Sequence, residues 1–321
     1  MQKRALGDSG LMVAPLCFGG NVFGWTIDQA QSFPLLDAFV ERGFNFVDTA
    51  DVYSTWGGPN NKGGESETII GAWFKKTGKR DKVVLATKVG HDMTPEKRGL
   101  SAAHILRSVD ESLQRLQTDY IDLYQSHKDD LSIALDETLR AYQKLIEQGK
   151  VRAIGASNFT ADRLKLSLQT ADAAGLPRYC SLQPEYNLYD RAGFEQELGP
   201  LCLKENVGVI SYYSLARGFL SGKYRSEADL GKSVRGARVA EVYLNDRGFR
   251  ILAALDTVAA IHGSNPARIA LAWLMSRPAI TAPIASATTL AQLDDLMAAA
   301  DVKLTDADIA KLDAASDYDA G

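Results

Sequence analysis

Short apolar runs, rich in β-branched and aromatic residues, recur along the chain. They are VAPLCFGG (13–20), FNFVDTA (44–50), KVVLATKVG (82–90), YIDLYQSH (120–127), VRAIGASN (151–158), YCSLQPEYN (179–187), VGVISYYSL (207–215) and AITAPIAS (279–286). Each has the length and composition of a buried strand. Between them, apolar residues return every three or four positions. Ile105, Leu106, Val109, Leu113 and Leu116 share one helical face, and so do Leu135, Leu139, Tyr142, Leu145 and Ile146. Ser101 and Thr160 stand where N-caps belong, and Gly149 where a helix should stop. Pro34 either follows a cap at Ser32 or kinks the first helix.

Strand–helix alternation of this kind predicts a parallel sheet covered by helices. Eight strand units point to an α/β fold closed as a (β/α)8 TIM barrel, with a doubly wound open sheet as the alternative. The chain shows no Pro-rich linker or shift in composition, so residues 1–321 are expected to form a single domain. The segment around Asp8–Gly10 reads as the turn of an N-terminal hairpin that caps the bottom of the barrel. Two stretches break the alternation, STWGGPNNKGG (54–64) and residues 216–248, and both read as long loops.

Composition narrows the class of protein. With 321 residues, 45% of them hydrophobic, the chain can bury a large core. A net charge of −4 gives no field that favours nucleic acid or an anionic membrane, so neither is an expected partner. Cys17, Cys180 and Cys202 lie in no metal or redox spacing, and no cluster suits a metal ion, so no metal is expected. The start MQKRALGDSG lacks the apolar core of a signal peptide, and no run has membrane-spanning length. The expected location is the cytoplasm.

In a barrel, the chemistry sits at the C-terminal ends of the strands. Here those ends carry Asp48, with Tyr53 just beyond, then Lys88, His127, Ser157 with Asn158, Gln183, Tyr212 and Ser286. The titratable ends belong to neighbouring strands, so Asp48, Tyr53, Lys88 and His127 can converge. A phenol becomes a useful general acid when a nearby ammonium lowers its pKa, and a carboxylate holds that ammonium in place. An imidazole beside the phenol can orient a carbonyl oxygen. The set suits protonation of a carbonyl oxygen as hydride reaches the carbon, and the reverse oxidation. Taken singly, the same residues read as a turn aspartate, a surface lysine, a satisfied histidine and a loop tyrosine. Lys88 alone also suits the Schiff base of a barrel aldolase.

The segments LGDSGLMVAPLCFGG, GFNFVDTADVYS, GESETIIGAW, VVLATKVG, LQTDYIDLYQSH, GKVRAIGASNF, LQPEYNLY and SYYSLARGFLSGKY, in this order, resemble the aldo-keto reductases. The resemblance covers nearly the whole chain. It implies a (β/α)8 barrel that uses NADPH or NADP+ to reduce aldehydes and ketones reversibly, so the expected partner is a small carbonyl or alcohol substrate. The absence of a G-x-G-x-x-G fits a nicotinamide site without a Rossmann domain. By the resemblance, Asp48, Tyr53, Lys88 and His127 match the catalytic tetrad, with Tyr53 as proton donor and Asp51 outside it as a turn residue. Ser157, Asn158 and Gln183 match positions that hold the nicotinamide carboxamide, and Tyr212 matches the aromatic stacked on the ring. Gly20, Asn21 and Asp48 fall near the nicotinamide ribose. Leu215, Arg217, Gly218 and Lys223 belong to the segment over the pyrophosphate.

Two departures from the family pattern stand out. Tyr212–Leu215 reads YYSL where Y-S-P-L is common, which would loosen that turn. Ser286–Thr289 reads SATT, so Thr288 replaces a usual basic residue and NADH becomes possible beside NADPH. Gln292 and Asp295 follow near the adenosine. Trp25 and Trp56 either line an apolar substrate cleft with Tyr53 and His127 or anchor their loops. Some relatives of this family are cofactor-sensing channel subunits with little turnover, which leaves a second functional class open. The oligomeric state is unknown.

Overall fold

The centre of the structure, a computed structural model describing residues 1–232 and 236–318, is a sheet of eight parallel strands. A hairpin of β1 (Arg4–Ala5) and β2 (Met12–Val13) precedes it. The barrel strands follow as β3 (Cys17–Gly19), β4 (Phe46–Asp48), β5 (Val84–Val89), β6 (Ile121–Ser126), β7 (Val151–Ser157), β8 (Tyr179–Gln183), β9 (Gly208–Val209) and β10 (Ile284–Ala285). Neighbours in sequence are neighbours in the sheet, and β10 lies beside β3. The ring closes between the ends of this order: the Ile284 N–H donates to Ser211 O at 2.8 Å, and Val209 bridges Ile280 in parallel. The alternating pattern thus resolves into the (β/α)8 barrel rather than the open sheet.

Helices α1 (Gln29–Glu41), α2 (Glu65–Thr77), α3 (Ala102–Leu116), α4 (Leu135–Glu147) and α5 (Ala161–Ala174) follow the first five barrel strands. The short α6 (Gly199–Lys204) precedes β9, and α7 (Gly236–Tyr243), α8 (Asp246–Ile261) and α9 (Pro266–Ser276) separate β9 from β10. The chain ends through α10 (Leu290–Ala298) and α11 (Asp306–Ala315). Among the described residues, no helix is long and apolar enough to cross a membrane.

The helix ends show the local chemistry at work. Ser101 and Thr160 accept from His104 N–H and Arg163 N–H, as cap positions require. Gly149, at φ 72°, ends α4: its N–H donates to Ile146 O, and Lys150 N–H to Leu145 O, the two bonds of a Schellman motif. The start of α1 differs from the cap at Ser32. The helix begins earlier, behind Asp28, which forms a reciprocal capping box with Gln31. Ser32 is helical and donates its hydroxyl to Asp28 O at 2.6 Å, leaving Pro34 inside the helix. The stretch 216–248, expected as a loop, is mostly helical. It holds 3-10 turns at Ala216–Ser221 and Glu227–Lys232, then α7 and the start of α8, while 233–235 lie outside the described residues. Its buried Phe219, Leu220, Tyr224, Val239 and Tyr243 supply the apolar contacts, but they are spread among polar and glycine positions that hide the period.

Two apolar layers hold the fold. A large shell lies between the strands and the helices, built around side chains such as Phe39, Trp73, Tyr142 and Leu255. A smaller cluster fills the barrel itself: Cys17, Phe46, Ala86, Leu123, Ala153, Cys180, Ile210 and Ala282. Leu6 and Val13 of the hairpin belong to that inner cluster, and Arg4 donates to the carbonyls of Met275, Ile280 and Thr281. The hairpin therefore closes the bottom, and polar side chains collect at the opposite mouth. The interior is tight at Gly155, where an added Cβ would lie 2.3 Å from Ser181 Oγ and 3.1 Å from Gln125 Cγ. Gly155→Ala should cost about 1–3 kcal/mol through overpacking. A thermal melt checks this, and an unchanged Tm would show that the barrel interior yields.

Candidate active site

Alternation along the strands sets the first layer of the mouth. Phe46 and Asp48 share one side of β4, Ala86 and Lys88 one side of β5, and Leu123 and Gln125 one side of β6. In each pair the lower residue is apolar and belongs to the barrel core, and the upper one is polar. Lys88 is paired in register with Gln125, and Ser157 with Gln183. His127 follows β6 directly, and its N–H donates to Val89 O at 2.8 Å. The chain then turns out of β4 and returns so that Tyr53 overhangs the same mouth.

These residues meet. The Lys88 ammonium, fully buried, donates to Asp48 Oδ2 at 2.6 Å, to Thr49 O at 2.8 Å and to the Tyr53 hydroxyl at 2.8 Å. Its three N–H bonds are thereby used. Tyr53 OH also lies 3.3 Å from Asp48 Oδ2. The other carboxylate oxygen, Asp48 Oδ1, accepts from Gln125 Nε2 at 3.1 Å and Gln183 Nε2 at 3.0 Å. The His127 ring stands 6.0 Å from the Tyr53 ring, centroid to centroid, and its Nδ1 is buried without a hydrogen-bond partner.

The protonation states follow from these surroundings. Burial pushes the Tyr53 phenol well above its usual value, and the Asp48 carboxylate pushes it the same way. This differs from the lowering that a lysine neighbour leads one to expect. Asp48 neutralises the ammonium at contact distance, so its pull on the phenol is largely cancelled. Burial first, then the charges of Lys88, His91 and Lys128, push His127 well below the usual imidazole range. The site at rest thus presents a protonated phenol and a neutral imidazole side by side.

A sequence model of the aldo/keto reductase family matches residues 15–317. The chain belongs to this family. It is 36% identical over 312 residues to an uncharacterized oxidoreductase, YrpG, of Bacillus subtilis, covering 95% of this chain and 92% of that one. It is also similar to a probable voltage-gated potassium channel subunit beta of Arabidopsis thaliana (33%, 94% and 92% covered) and to versiconal hemiacetal acetate reductase of Aspergillus parasiticus (31%, 98% and 96% covered). The protein is thus an oxidoreductase of the aldo-keto reductase type, with a fold that binds a nicotinamide cofactor.

Beside these four residues lies a row of amides and hydroxyls. Ser157 Oγ donates to Gln183 O at 2.8 Å, and Asn158 Nδ2 to His127 O at 2.9 Å. The Tyr212 hydroxyl donates to Asn158 Oδ1 at 2.8 Å, which ties that aromatic ring to the row. Asn158 holds a left-handed φ of 57°, as do Tyr213, Ala216 and Arg217 after β9 at 51°, 47° and 58°. Such backbone costs of order 1–3 kcal/mol per residue and collects at functional sites. The YYSL turn is closed rather than loose: Ser214 Oγ donates to Ser211 O, and Tyr213 O accepts from Ala216 N–H and Asn187 Nδ2.

Across the mouth, Ser286 Oγ donates to Asn21 Oδ1 at 2.6 Å, and Gly20 O accepts from Ser66 Oγ. Thr288 donates through both its N–H and its hydroxyl to Gln292 Oε1. Arg217 reaches Tyr213 OH at 2.9 Å, Leu215 O accepts from Gly218 N–H, and Lys223 packs along Gly218. Asp295 is turned instead to Arg268 on α9, which clasps it. Trp25, Trp56 and Tyr53 form an aromatic chain, with centroids 5.8 Å apart at each step.

Gln125 and His91 join this cluster without having been expected there, and Asp51, expected as a turn residue, is buried beside it. Gln125 holds Asp48 and lies two residues before His127, in the inward phase of β6, which is a legible signal. His91 packs its ring against His127, 5.1 Å between centroids. Asp51 is buried at 5% exposure, its Oδ1 has no hydrogen-bond partner, and its carboxyl is pushed up to about 8 by burial and then by Glu67. Glu67 itself is satisfied by Arg115 and Thr87, and Arg115 also faces Glu111, so little of its charge is left to hold Asp51 ionised. The folded protein therefore keeps a proton on Asp51 that the unfolded chain releases near pH 4. Stability is lost as pH rises from about 4 to about 8. Asp51→Asn, which mimics the neutral acid, should melt close to the wild type near pH 4 and several degrees higher near pH 8. A difference that does not change with pH would refute this assignment.

Proposed function

We propose that the protein reduces aldehydes and ketones to alcohols, reversibly, with NADP(H), and that Tyr53 is the proton donor. The observation that carries this reading is the Lys88 ammonium in contact with both Asp48 and the Tyr53 hydroxyl. The amide row of Ser157, Asn158 and Gln183, with Tyr212 tied to it, has the donors and acceptors that a nicotinamide carboxamide needs. When bound there, the nicotinamide supplies or accepts the hydride.

The residues then divide the remaining work. Tyr53 and neutral His127 both donate toward the carbonyl oxygen and orient it. As the carbonyl carbon gains hydride, negative charge grows on that oxygen, and the phenolic proton of Tyr53 moves onto it. The phenolate left behind is held by the Lys88 N–H already pointing at it. Asp48 keeps the ammonium charged and aimed, and Gln125 and Gln183 keep Asp48 from turning away. The phenol carries its proton when hydride arrives, and the Lys88 N–H that holds the phenolate offsets what burial and Asp48 add to the cost of losing that proton. A Schiff-base role for Lys88 fits poorly, since all three of its N–H bonds are already committed. Likeness to a channel subunit beta keeps cofactor binding with little turnover as a second reading.

Thr288 offers no cation to a 2′-phosphate, and its hydroxyl and N–H are occupied by Gln292. We therefore expect NADPH to be used with weakened preference over NADH. Tyr53→Phe should lower the rate of 4-nitrobenzaldehyde reduction at least roughly a hundredfold, with cofactor affinity nearly retained in a fluorescence titration. Unchanged turnover would sink the proton-donor role, and negligible wild-type turnover with tight cofactor binding would favour the second reading. Thr288→Arg should raise the NADPH-to-NADH affinity ratio about tenfold. A large NADPH preference already present in the wild type would contradict the reading of that position.

A further inference from the structure

The tetrad does not use His91, yet this residue borders the place where a substrate must lie. β5 ends at Val89, the chain turns through Gly90 at φ 101°, and His91 emerges exposed at the mouth. Its ring meets His127 on one side, while Tyr53 meets His127 on the other. A carbonyl oxygen held by Tyr53 and His127 therefore sends the rest of its molecule outward between two unlike walls. One wall is Trp25 and Trp56, aromatic and apolar. The other is His91.

Lysine and arginine side chains share this rim with His91. Lys128, His91 and Arg98 act on Asp92, and Lys88, His91 and Lys128 act on His127. The one carboxylate among them, Asp92, is already bridged to Lys128 at 2.5 Å. His91 Nδ1 lies 3.3 Å from the backbone carbonyl of Asp92. A proton on Nδ1 satisfies that carbonyl and leaves Nε2 as a lone pair in the neutral ring. Protonation turns Nε2 into a second donor, with charge. An anionic group beside it stabilises that state and gains a charge-assisted hydrogen bond.

We propose that His91 selects carbonyl substrates bearing a carboxylate or similar anionic group, set about as far from the carbonyl as the two imidazoles are from each other, 5.1 Å between centroids. The inference rests on the reductase reading above and names the substrate class of the same site. The bond formed is non-covalent: the ring takes a proton from solvent, and the imidazolium donates to the anion.

The test compares 3-carboxybenzaldehyde with its neutral methyl ester, with 4-nitrobenzaldehyde as a neutral reference, in the wild type, His91→Gln and His91→Arg. The wild type should favour the carboxylate over the ester by about tenfold in kcat/KM, mainly through KM. The carboxylate-to-ester ratio should fall toward one in His91→Gln. In His91→Arg it should persist, which a purely structural role for the ring would not produce. Equal ratios in the wild type and His91→Gln would overturn the role of His91 while leaving the reductase reading intact. Failure of the wild type to reduce 4-nitrobenzaldehyde with either cofactor would defeat the reductase reading and this inference with it.

Discussion

The interaction on which the rest of this structure depends is the contact between Lys88 and Asp48, almost wholly removed from water. Burying two opposite charges carries a penalty of several kcal/mol per ion, and their mutual attraction offsets it only when the remaining donors and acceptors are satisfied. Here they are. The ammonium has three acceptors, and the carboxylate has Lys88, Gln125 and Gln183. Those partners come from β4, β5, β6 and β8 and from the turn leading to Tyr53. The pair can be tolerated only when the barrel is closed in its native register, so fold and chemistry share one condition.

The barrel is polarised along its axis by the same alternation that builds it. Small and medium apolar side chains fill the lower interior, and the N-terminal hairpin seals the bottom with Leu6 and Val13. One step up each strand the inward residues become polar and form the floor of the mouth. Around that floor lie the left-handed residues Asn158, Tyr213, Ala216 and Arg217, held by hydrogen bonds to one another and to the strands. Strain and buried charge thus sit on one face, and the packed core below carries their cost.

How much of this could be read in the sequence varies with the reach of the forces involved. Asp48, Lys88 and His127 could be read because each ends an apolar run, and strand phase is a local property. Gln125 could have been read by the same rule, but a glutamine inside a strand carries no chemical signature of its own. Asp51 could not. Its neighbours Glu67 and Arg115 come from α2 and α3, and only their arrival turns an ordinary turn aspartate into a buried, protonated acid. The same holds for the 216–248 segment, whose helices follow from where Phe219 and Tyr243 are buried. The start of α1 is a local matter: Asp28 and Gln31, three residues apart, form its capping box, ahead of the cap expected at Ser32.

By itself the sequence determined the order of the eight strands and of the helices with a clear period, the caps, and the titratable residues that end the strands, because period-2 and period-3.6 patterns and capping act over a few residues. It also carried, through the order of its motifs, the family to which the chain belongs. Only the tertiary structure decided which polar groups meet and in what charge state. Those outcomes depend on burial and on partners brought from distant parts of the chain: the closing contact of Ile284 with Ser211, the amides that pin Asp48, and the second imidazole beside His127. Desolvation and hydrogen bonding set a proton's affinity, and both are properties of the assembled mouth rather than of any one segment.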